Sequence, residues 1–93
     1  MKSFIVVARF KDGTTQEEIK SFIPAEVVQA KILEDKGLIG FIKVAMPKRT
    51  VFLEAFGASE AEATDSIKSL PMSEIWDLEL FETTPPAGVV VTN

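Results

Sequence analysis

An α+β fold, with a four-stranded antiparallel sheet carrying two helices on one face, is predicted by three features of the sequence. Four stretches rich in β-branched and aromatic residues alternate with two helical stretches, in the order β-α-β repeated twice. Each helical stretch opens on a hydroxyl residue with a glutamate three places on, the spacing of a capping box. The two middle strands are separated only by Pro47-Lys48-Arg49, so they pair as an antiparallel hairpin.

The first strand reads as Phe4–Phe10 and stops at the turn-forming cluster Lys11-Asp12-Gly13. Thr14 or Thr15 then opens a helix, with Glu17 and Glu18 three residues on. Pro24 has no amide proton and its ring crowds the preceding turn, so the helix is expected to break there and resume as a second piece reaching Asp35. Lys36-Gly37 supplies a basic residue and a glycine at its end. Leu38–Met46 is the second strand and Thr50–Phe56 the third. Ser59-Glu60-Ala61-Glu62 opens the second helix, which presents Ala63, Ile67 and Leu70 at i, i+4, i+7 and ends at Pro71. Ser73–Glu82 is the fourth strand. This order in one small chain is the ferredoxin-like split βαβ sandwich. Residues 1–84 form its single domain. Residues 85–93 form a tail whose Val89-Val90-Val91 is expected either to add to the sheet edge of a neighbouring subunit or to fray.

Composition narrows the function. The chain has 93 residues, 46% of them hydrophobic, and a net charge of −4, which fits an apolar partner surface and argues against nucleic acid. The only adjacent basic pair is Lys48-Arg49. Cysteine and histidine are absent, so thiol chemistry, the commonest general base and the commonest zinc ligands are excluded. No acid-rich loop resembles a hard-cation site, and no metal or other cofactor is expected. The apolar run Phe4–Ala8 is too short for a signal peptide or a membrane span, so a cytoplasmic location and no membrane partner are expected.

Alternation within the strands locates the candidate site. Phe4, Val6, Ala8 and Phe10; Leu38, Ile42 and Val44; Val51, Leu53 and Ala55; and Trp76, Leu78 and Leu80 form one apolar set that belongs under the helices. The opposite set holds Ile5, Val7, Ile39, Phe41, Phe52, Phe56, Ile75 and Phe81, together with Arg9, Lys43, Glu54, Asp77 and Glu79. It is too apolar for a solvated face and too charged for a dry core. Two copies stacked sheet to sheet, a dimeric α/β barrel, would enclose it as a chamber for a small organic molecule.

In a 4-1-3-2 strand order, Lys43 approaches Glu54, and Arg9 approaches Asp77 or Glu79. These are either register-fixing ion pairs or site groups. Three acids face two bases, which leaves a carboxylate available for proton transfer. Glu54, between Phe52 and Phe56, is the candidate proton carrier. Lys43 is the candidate stabiliser of a developing enolate, and Arg9 a second anion anchor oriented by Asp77 and Glu79. Phe41 and Phe52 supply apolar walls. Glu26, Lys48 and Arg49 read as solvated surface groups. Val28 and Ile32 lie on the helix side opposite Val27, Ala30 and Leu33, which gives a further surface for assembly beyond a homodimer.

Over roughly residues 22–86 the chain resembles the muconolactone isomerase family of the dimeric α/β-barrel group. The resemblance rests on Glu26-x-x-x-Ala30-x-x-Leu33-x-x-x-Gly37, on Phe41-Ile42-Lys43, on Leu70-Pro71-Met72 and on Trp76-Asp77-Leu78-Glu79-Leu80. It implies a homo-oligomeric, cofactor-independent isomerase that moves a proton on a small unsaturated lactone or related carbonyl acid. Lys43 then stands at the family's cationic position, with Asp77 and Glu79 on the matching strand. Where the family carries histidines, this chain reads Met46-Pro47 and Thr83-Thr84-Pro85. The alternative is therefore a non-catalytic small-molecule-binding or structural barrel protein.

Overall fold

The computed structural model describes residues 1–85. The elements follow the order β1 (Lys2–Phe10), α1 (Gln16–Asp35), β2 (Ile39–Ala45), β3 (Thr50–Gly57), α2 (Glu60–Lys68) and β4 (Trp76–Thr83). The sheet is antiparallel, in the order β2-β3-β1-β4, an arrangement compatible with a ferredoxin-like fold. Both helices pack on one face. Ile19 and Leu33 of α1 and Ala63 and Ile67 of α2 join Phe4, Val6, Ala8, Leu53 and Ala55 in one core.

Local chemistry accounts for the helix ends. Thr15 accepts from the Glu18 amide while Glu18 reaches back to the Thr15 amide, a complete capping box. At the other end Gly37 takes φ +72°, and the Gly37 and Leu38 amides donate to the Glu34 and Leu33 carbonyls. This Schellman closure brings Leu38 against the core beside Leu33. Ser59 caps α2 by accepting from the Glu62 amide.

Three boundaries depart from expectation. Pro24 does not break α1, which runs unbroken from Gln16 to Asp35. Pro24 and Lys20, four residues earlier, are both exposed; water can serve the carbonyl that Pro24 leaves without a donor, while the buried stripe on either side holds the helix together. The chain from Pro71 to Ile75 is a 3-10 turn, so β4 begins at Trp76 rather than Ser73, and Ile75 is buried outside the strand. Met46–Lys48 is likewise a 3-10 turn, closed by Arg49 at φ +50°, and β2 ends at Ala45.

Register explains a fourth difference. A bulge lies between Ile39 and Ile42, where Ile39 pairs with Ala55 and Ile42 with Leu53. The added residue turns Ile39 to the helix side, where it is 3% exposed, instead of the open face expected from strict alternation. Ile42 and Val44 keep the predicted face but are not covered, at 42% and 58% exposure. They look onto α1 across a gap. The segment carrying Val89–Val91 lies outside the described residues.

Candidate functional site

On the open face, the strand register sets the charged residues apart. Arg9 stands directly across from Asp77, yet its guanidinium pairs diagonally with Glu79, Nη1 to Oε1 at 3.1 Å. Both side chains are about half exposed, so this pair contributes roughly 0–1 kcal/mol. Lys43 stands across from Phe52, not Glu54, and its ammonium lies 5.7 Å from the centre of the Phe41 ring. Glu54 stands across from Ile5 and rests against Gly40 in the bulge, where a Cβ would collide with its carboxylate. The ion pairs among the described residues are Lys2–Glu82, Arg9–Glu79 and Lys31–Asp35; the expected approach of Lys43 to Glu54 is not among them. Phe41, Phe52 and Phe81 remain more than a third exposed around these charges.

A concave site lies on the other face, in the gap between α1 and β2. It is a groove of about 250 Å³. Ile23, Glu26, Val27 and Ala30 line it from α1, Ile42 and Val44 from β2, and Val51, Met72 and Trp76 complete it. Its size is just below the ~300 Å³ at which sites for drug-sized ligands begin. Within this apolar lining Glu26 is the one ionisable side chain.

Glu26 is held there by the 3-10 turn before β4. Pro71 occupies the first position of that turn and has no amide proton, so the Met72 amide is its first free donor. That amide donates to Glu26 Oε1 at 2.9 Å. The helix segment around Glu26 and the Leu70-Pro71-Met72 stretch, far apart in sequence, thus meet in space. Burial pushes the Glu26 carboxyl above its ordinary value, and the Met72 hydrogen bond pulls less strongly in the other direction.

From its sequence position Glu26 reads as a solvated helix residue, whereas in the fold it is half-buried. The signal was present. Glu26 falls seven residues after Ile19 and seven before Leu33, both buried, so it lies within the apolar stripe of α1. The missing piece was the Met72 partner, which only the tertiary fold supplies.

Trp76 contributes a second polar feature. Its ring is buried edge-on against Phe10, with centroids 6.4 Å apart, and its Nε1 has no hydrogen-bond partner among the described residues. Among the described residues, no group of three or more acidic, histidine or cysteine side chains comes together as a metal site. No helix there is long and apolar enough to cross a membrane. No protein-family model matches the chain, and a search among curated proteins finds no match either.

Proposed function

We propose that the α1–β2 groove binds a small unsaturated carbonyl compound, such as a lactone, and that Glu26 moves a proton on it without a cofactor. The observation that carries this reading is a half-buried carboxyl, raised in pKa by burial, inside an otherwise apolar groove. The Met72 amide occupies Oε1 and leaves the second oxygen for the ligand. That oxygen takes a proton from the carbon beside the carbonyl, and the C–H electron pair moves into an enolate. The same carboxyl then returns the proton at the far end of the conjugated system, with no net change in atoms or charge.

The resemblance to muconolactone isomerases supports this assignment, because two of the stretches that carry it, around Glu26 and Leu70-Pro71-Met72, are the ones that touch. The second half of the proposal concerns assembly. The open sheet face, with Ile5, Phe41, Phe52, Phe56 and Phe81, stacks on its counterpart in a second copy to form a dimeric α/β barrel. Lys43, Glu54 and Arg9 then sit in the enclosed chamber, as charges kept wet between the two sheets.

Proton NMR in deuterated buffer, with uncharged unsaturated lactones, tests the chemistry. Protein-dependent deuterium uptake next to the carbonyl is expected, lost in Glu26→Gln and retained in Glu54→Gln. Uptake lost in Glu54→Gln but kept in Glu26→Gln would return the chemistry to the open face. One observation favours a second reading, binding without turnover: the groove lining holds a proton carrier but no cation to stabilise an enolate. Ligand-dependent thermal stabilisation with no exchange on any substrate would establish that reading instead.

A further inference from the structure

Building on the groove reading, we infer that the ligand is an uncharged molecule of about single-ring size carrying one hydrogen-bond acceptor. Charge is the first argument. A carboxylate-bearing ligand entering this groove meets Glu26 and no cation. Arg9 and Lys43 lie on the opposite face of the sheet. Arg49 donates to the Thr14 carbonyl at 2.7 Å and lies over the Phe10 ring, and Lys31 is paired with Asp35 at 2.9 Å. An anion buried here would be left unpaired.

A cationic amine fares little better. Glu26 offers it one free oxygen, and the rest of the lining carries no second carboxylate, amide or hydroxyl side chain to accept from the other two ammonium protons. An uncharged ligand avoids both costs. By covering the groove it favours the neutral carboxyl, whose O–H can donate to the ligand while Oε1 continues to accept from Met72, and proton abstraction starts from the fraction of complexes in which Glu26 is ionised. The ligand must therefore bring an acceptor, such as a carbonyl or ether oxygen. Size follows from the volume: an apolar cavity of roughly 150 Å³ holds benzene, so about 250 Å³ holds one substituted ring.

Three probes sharing one ring test the class: cyclohexanone, cyclohexanecarboxylate and cyclohexylammonium, titrated at neutral pH into the full chain. Binding is read from the NMR shifts of the Met72 amide and the Trp76 indole N–H, and from the fluorescence of Trp76, the single tryptophan. Cyclohexanone is expected to bind about tenfold more tightly than either ion. Val44→Arg, at an exposed position of the lining, should move the preference toward the carboxylate by a similar factor. If either ion binds wild type as tightly as cyclohexanone, the ligand class is wrong while the groove stands. If none of the three shifts Met72 or Trp76, the groove reading falls, and this inference with it.

Discussion

Replacing Glu26 by leucine and, separately, by glutamine isolates what its carboxyl does for the fold. Leucine removes the acceptor of the Met72 amide. Met72 is only 9% exposed, so a donor left there without a partner costs about 1–3 kcal/mol. Leucine at this half-buried position recovers roughly 1 kcal/mol through apolar burial. The net expected loss is about 1 kcal/mol, or ~4–8 °C in Tm for a domain of this size. Glutamine keeps a carbonyl oxygen in the same place and is expected within about 0.5 kcal/mol of wild type. Urea unfolding followed by Trp76 fluorescence measures both, and hydrogen exchange at the Met72 amide reports the bond itself. Glu26→Leu as stable as Glu26→Gln, with the Met72 amide equally protected, would refute a stabilising role for the Glu26–Met72 hydrogen bond.

The folded pKa of Glu26 is raised above its ordinary value of 4.5, so its neutral form favours the fold below that pH and the advantage is lost as pH rises through the folded pKa. Wild type should therefore lose stability relative to Glu26→Gln over that window in thermal melts, and a gap independent of pH would contradict the burial argument. Gly57→Ala is expected to cost about 1–3 kcal/mol in urea unfolding. Its Cβ would lie 3.0 Å from the Ala63 nitrogen and 3.3 Å from the Ser59 carbonyl oxygen, both backbone atoms at the start of α2; an unchanged midpoint would mean that α2 can move aside freely. Phe52→Ser combined with Phe81→Ser should convert the proposed dimer to monomer in sedimentation velocity, since both rings are exposed on the open face. An unchanged sedimentation coefficient would remove that face from the interface.

Element order, the capping-box start of each helix and the face of most strand residues are legible in the sequence alone, although its spacing leaves Thr14 and Thr15 both open as the first cap and the structure places it at Thr15. These depend on neighbours one to four places away: Thr15 with Glu18, Ser59 with Glu62, and the alternation along β1, β3 and β4. Strand order followed from the same pattern, because a βαβ repeat with a short central turn has few topologies open to it. Pro24 misled because a local rule about helix breaking was outweighed by the buried stripe that α1 lays on the sheet. Ile39 misled because one bulge residue reverses a face, and no period-two pattern reveals it.

The candidate site was decided by tertiary structure. Lys43 and Glu54 share a face, as their alternation indicated, but the register places Lys43 opposite Phe52 and Glu54 opposite Ile5. Glu26 acquired its environment from elements distant in sequence: the Met72 amide, freed by Pro71, and the uncovered side chains of Ile42 and Val44. A carboxyl's protonation depends on the water removed and the donors brought near it, and both are properties of the assembled volume. Sequence spacing locates such a residue on its helix, while packing decides whether it meets solvent or a groove.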